Sequence, residues 1–265
     1  MTETIATQPG EFEIAVQAKP RPLTWLLNIW LKPRFVLSEI CAQEKAVWLI
    51  PLLILSGLQI IKSLIEGPIK SAAALAAQIL PSPDMSYLTP EELAKIQQGS
   101  ATTNGPLFTV LFPAIIAIIG IWLSWVILGS ILHLGLTLAG NRNNTVTSLN
   151  VAAWSSMPIA LRLIVQIIAT VATKQVINQP GLAGFMTPTG GISTYVSVLL
   201  GLVDIYIVWQ IILLIVGARL MGNITRSKAI LCVLVCVSLV LLLQAIPGTV
   251  TQVVSGMSFS RPFFF

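Results

Sequence analysis

Two ionisable side chains, Arg162 and Asp204, lie inside long apolar stretches of a 265-residue chain. Each costs about 2.5–3.5 kcal/mol at the centre of a membrane helix on insertion scales, so each needs a partner or a purpose. The third apolar stretch places Arg162 about 13 residues from its inner end, and the fourth places Asp204 about 12 residues from its outer end. Consecutive spans run antiparallel, so both side chains are expected at similar depth, near the midplane. Three chemistries fit. The pair locks two neighbouring helices as a structural ion pair, it forms an ion, proton or substrate site, or the two are unrelated polar sites facing water or partners. Ser155, Arg162 and Gln166 fall on roughly one helical face, and Ser197, Gly201 and Asp204 on another. Such stripes also suit interhelical hydrogen bonds, worth under about 2 kcal/mol each.

The remaining reactive residues are sparse. There is a single histidine, His133, and the cysteines are Cys41, Cys232 and Cys236. Cys232 and Cys236 are one helical turn apart in an apolar run, where thiols act as small hydrophobes. No Ser-His-Asp set, paired carboxylates, His-Glu-x-x-His or phosphate-cradling glycine loop appears, so no catalytic residue, cofactor or metal is expected. Gly181-Leu182-Ala183-Gly184 reads as turn chemistry.

The elements that must hold these residues follow from composition. Hydrophobic residues make up 55% and charged ones 9%, against about 25% charged in a soluble domain. That excludes an ordinary soluble enzyme, a disordered chain and a disulfide scaffold. The net charge of +5 comes without basic runs interleaved with aromatics, so no nucleic acid is expected. The fold class is all-α: a polytopic bundle of five transmembrane helices preceded by interfacial amphipathic helices. Residues 1–22 read as a flexible polar tail without the apolar core of a signal peptide. Residues 23–45 read as two short amphipathic helices broken at Pro33, the first lying in the headgroup region with Leu23, Leu26, Leu27 and Trp30 on one face. The membrane domain covers residues 46–247, with spans at about 46–65, 107–138, 149–171, 192–220 and 228–246, and residues 248–265 form a tail. In the long loop, Thr89-Pro90-Glu91-Glu92 has the spacing of a helix capping box. Lys62 is expected to reach out to the interface from the end of span one.

With the N-terminus inside, nine Lys and Arg fall on inner segments and five on outer ones, leaving Arg162 aside. The bias predicts a cytoplasmic N-terminus and a C-terminus on the opposite side, in the plasma (inner) membrane. No inverted repeat or pair of interrupted spans is visible, as secondary transporters often show.

The order of several motifs carries a resemblance. Pro33 and Phe35 precede the first span, and a long loop follows it. Span three carries Trp154-Ser155-Ser156-Met157-Pro158, span four carries Trp209, and Arg226-Ser227-Lys228 leads into span five. Over residues 30–247 the chain resembles the Yip-domain family, Ypt/Rab-interacting membrane proteins and their bacterial relatives, and is closest in kind to the bacterial type. The resemblance implies a five-span bundle with a cytosolic N-terminus, no catalysis, and Pro33, Pro158, Trp209 and Lys228 as structural positions. It implies a role organising or scaffolding membrane components, with the lipid bilayer and other membrane proteins or a second copy as partners. The short N-terminal tail argues against a small-GTPase contact. The rival expectation is a small transporter or channel built on a midplane site of Arg162 and Asp204.

Overall fold

A computed structural model describes residues 22–79, 89, 91–92, 95, 98–99, 105–177, 181–187, 189–222 and 224–256; residues 1–21 of the polar tail expected at 1–22, and the last residues, 257–265, lie outside them. Among the described residues the chain is helical, without strands. In order come α1 (Pro22–Leu31), α2 (Pro33–Cys41), α3 (Leu49–Ile79), a π-helical turn (Leu107–Leu111) leading into α4 (Phe112–Leu138), α5 (Thr145–Ser155), α6 (Met157–Thr173), a 3-10 turn (Gly181–Phe185), α7 (Ile192–Leu202), α8 (Ile205–Leu220) and α9 (Arg226–Gly256). Four helical stretches are long and apolar enough to cross a membrane, and the bent pair α7–α8 makes a fifth if it counts as one span. The chain is a polytopic helical membrane protein.

Two helices outrun their expected ends. α3 continues through Pro68 to Ile79, where the sequence predicts a stop near residue 65, and α9 continues through Pro247 to Gly256, where it predicts a stop at 246. In lipid an ended helix exposes several backbone groups that water cannot satisfy, whereas one proline removes a single hydrogen bond, so the helix persists. Outside the membrane the capping box forms: the Thr89 N–H donates to the Glu92 carboxylate at 2.9 Å and the Glu92 N–H donates to Thr89 Oγ1 at 3.3 Å. The Thr89 backbone and hydroxyl donors hold the Glu92 carboxyl below its usual range.

Span three is the centre of the bundle. Every residue from Asn150 to Pro158 is buried. Its side chains clamp the segment between α2 and α3: Asn150 accepts from the Val47 N–H at 2.9 Å and donates to the Lys45 carbonyl at 2.9 Å, and the Trp154 indole donates to the Val47 carbonyl at 3.0 Å. All seven tryptophans stack on one another. Trp25 meets Trp154 edge-on at 5.5 Å, Trp30 meets Trp209 at 4.9 Å, and Trp48, Trp122 and Trp125 form a triplet.

These pairs correct the expected setting of α1. Its tryptophans turn into the bundle rather than toward headgroups: Trp25 and Ile29 are buried, and the Trp25 indole donates to Glu39 at 2.5 Å. Leu23, Leu27 and Leu31, spaced four residues apart, form the outward stripe, each more than 70% exposed. Edge-to-face indole pairs add about 0.5–1.5 kcal/mol beyond burial, which favours the protein contact.

Candidate functional site: the break in span four

The expected continuous helix over residues 192–220 is interrupted. α7 ends at Leu202, α8 begins at Ile205, and the two axes differ by 65°. At 1.5 Å per residue α8 covers about 24 Å, and α7 at that angle adds about 7 Å more. The sum, about 31 Å, just matches a hydrocarbon core of about 30 Å.

A break at such a place strands helix-end donors and acceptors. Asp204 is the N-cap of α8: its Oδ1 accepts from the Tyr206 and Ile207 N–H groups at 2.9 and 3.0 Å. A carboxylate at a helix N-terminus also meets the positive end of the macrodipole. Its other oxygen, Oδ2, lies 3.0 Å from Arg162 Nε. Arg162 Nη2 then donates to the Gly201 carbonyl at 3.2 Å, at the negative end of α7. The ion pair therefore stitches both severed ends, one charge to each. The Leu182 N–H, from the 3-10 turn, donates to the Val203 carbonyl at 3.2 Å. Gly181 beside it has φ +62°, and a Cβ there would sit 2.7 Å from the Val203 carbonyl oxygen and 2.9 Å from that of Gly201. Only glycine fits, so the segment read as plain turn chemistry is a plug against the break.

Arg162 lies 17 residues past Thr145, or about 25 Å along a helical stretch of 29 residues that is about 43 Å long, and Asp204 meets it there.

A second polar group lies at similar height. Lys62 does not leave for the interface; its ammonium donates to Gln166 Oε1 at 2.8 Å and lies 3.6 Å from Glu66. Glu66, buried, also pairs with Lys70 at 2.9 Å. Gln166 is one turn beyond Arg162 on α6, so the two clusters share a helix. Together they hold three cations and two anions.

Span three also breaks, at Ser156. Pro158 opens α6, and the Gln210 amide donates to Ser156 Oγ at 3.0 Å, itself bonded to the Ala152 carbonyl at 2.9 Å. Between the breaks and helices α3, α4 and α9 lies a cavity of about 430 Å³. The sequence-selected Arg162 lines it, as does Gln210, a polar residue of the fourth span, together with Ser124 and Gln244, which sequence reading passed over. A proline four residues after Leu243 and a glutamine within an apolar run were the available signals.

The other sequence-selected positions lie elsewhere. Pro33 occupies the first turn of α2, Trp209 stacks on Trp30, and Lys228 is exposed at the start of α9. A lysine there opposes the helix macrodipole, so it adds nothing to helix stability. Cys232 and Cys236 approach to 4.0 Å between sulfurs beside Gly135. Among the described residues no three His, Cys, Asp or Glu side chains assemble as a metal site would require.

A model of the Yip1 domain matches residues 27–246, most of the chain. The chain belongs to the Yip1-domain family. No curated protein and no solved structure matches it.

Proposed function

From membership of the Yip1-domain family, we propose that this integral membrane protein is a non-enzymatic organiser that scaffolds other membrane components, other proteins or further copies of itself. Its N-terminus faces the cytoplasm and its C-terminus the opposite side of the plasma (inner) membrane, as five spans and the Lys and Arg bias favour. The observation that carries the reading is α1. It is pinned to the bundle through Trp25, Ile29 and Trp30, yet turns Leu23, Leu27 and Leu31 outward as one stripe. A helix held rigidly with an apolar face outward is suited to docking a second apolar surface. The charges fit the same reading, since Arg162 and Asp204 are engaged by backbone groups of the break.

The test is crosslinking of the tagged protein in native membranes, with Leu23, Leu27 and Leu31 all changed to Ser. Deleting the helix would be ambiguous, because it also removes buried Trp25. Loss of stoichiometric partners at unchanged thermal stability supports docking through α1. An unaltered set of partners sinks that role.

A second reading, a small transporter or channel, draws on the interrupted span beside a cavity, an arrangement found at transporter binding sites. Under it, Asp204→Asn abolishes flux in proteoliposomes and leaves thermal stability nearly normal.

A further inference from the structure

The cavity has a direction. Measured from the α1 face, Leu52 and Leu55 lie within about 10 Å of the start of α3, whereas Arg162 and Gln244 both lie about 25–27 Å along their spans. One end is therefore apolar and near the α1 face, and the other polar and about 15 Å or more farther along the bundle. Its side is flanked by Leu123 and Leu243, which are about half exposed on the outside of the bundle, where lipid lies. Molecules reaching that opening come from the bilayer.

The polar end has unspent hydrogen-bonding capacity. Arg162 has five N–H donors and uses two on Asp204 and Gly201. The Gln244 amide and the Ser124 hydroxyl have no partner among the described residues. Pro247 offers no N–H to the Leu243 carbonyl, and all of these residues line the cavity. Idle polar groups at that depth cost free energy unless something bonds them. Asp204 balances the charge of Arg162, yet the idle guanidinium donors and the Gln244 amide make this end donor-rich, the complement of an acceptor-rich carboxylate or phosphate.

We propose that this cavity binds a single-chain amphiphile with an anionic head. The carboxylate or phosphate accepts hydrogen bonds from Arg162 and Gln244, and the chain runs toward Leu52 and Leu55. The site is independent of the organising role, since no residue of α1 lines it.

The full-length protein in phosphatidylcholine nanodiscs is labelled with a photoactivatable palmitate analogue whose diazirine sits near the chain end. A matching lysophosphatidic acid analogue forms the second arm. Saturable labelling at or beside Leu52 and Leu55, competed by unlabelled oleate, is the expected result. Labelling in the carboxylate arm alone identifies a fatty acid, in the phosphate arm alone a lysophospholipid, and in both a site that reads only the anionic head. Gly120 lines the cavity and a Cβ there meets nothing within 4 Å, so the side chain of Gly120→Leu starts in open space at the polar end. Gln244→Leu should weaken labelling about tenfold or more, the worth of one hydrogen bond to a charged group, and Gly120→Leu, which occupies the space of the head, should weaken it at least as much. Non-saturable labelling spread over the outer face of α4, or labelling indifferent to both variants, overturns the proposal. Should a variant fail to fold, the map on the unaltered protein decides alone: no label near Leu52 and Leu55 means no such site.

Discussion

Replacing Asp204 separates its two tasks. Asp204→Asn keeps a carbonyl oxygen that can still accept from the Tyr206 and Ile207 N–H groups, and Asn caps helices as well as Asp. It removes the charge and turns an amide donor toward the Arg162 Nε–H. Breaking a buried pair from one side costs about 3–5 kcal/mol. The lower end applies here, about 3 kcal/mol, because Arg162 keeps its bond to Gly201 and opens onto the cavity. Asp204→Ala loses the cap as well and should cost about 1 kcal/mol more. In an Arg162→Met background the charge has no partner to abandon, so Asp204→Asn should cost about 2–3 kcal/mol less than in the unaltered protein. The assay is reversible unfolding in mixed micelles with rising SDS fraction, followed by helical circular dichroism. The reasoning fails if Asp204→Asn costs under about 1 kcal/mol, the range of an exposed pair, or if the two backgrounds give the same loss. A near-normal stability combined with lost flux would instead favour transport.

The remaining predictions concern the other end of the molecule. Asn150→Ala leaves the Val47 N–H and the Lys45 carbonyl unpaired beneath α2, and should cost about 2–4 kcal/mol in the same titration; a loss below about 1 kcal/mol would mean that water replaces the amide. Burial pushes the Cys41 thiol up to about 12, so it stays protonated at pH 8. Its alkylation should then be at least about a hundredfold slower than that of an ordinary thiol until the protein is denatured. Because the folded value is raised, this thiol favours the folded state below the ordinary thiol range, and the benefit is lost as pH rises through that range toward 12. Rapid labelling of native protein at pH 8 would show that α2 opens readily.

What the sequence discloses and what it hides have one physical origin. The apolar spans, the charge bias and the family pattern survive in a single sequence because each is carried by composition or order. The role of the charges is not, because a continuous apolar run looks the same whether its backbone is one helix or two. The signals for a break are present: Asp204 has the residue type and position of an N-cap, and Ser156-Met157-Pro158 reads as a helix start. In a soluble chain both would be taken as boundaries. In lipid the same residues compete with the rule that no backbone group goes unpaired, and local motifs cannot reveal which outcome wins. The result depends on whether a distant group arrives to satisfy the severed ends. Asp204 and Arg162 do so at the fourth span, with Leu182 from the loop before it, and Gln210 braces the third. At Pro68 and Pro247 the chain stays helical instead, each proline costing one bond. A membrane helix thus breaks where another segment supplies the missing hydrogen bonds, and that supply is a tertiary fact, which is why a charge 42 residues before Asp204 in the chain decides the shape of span four.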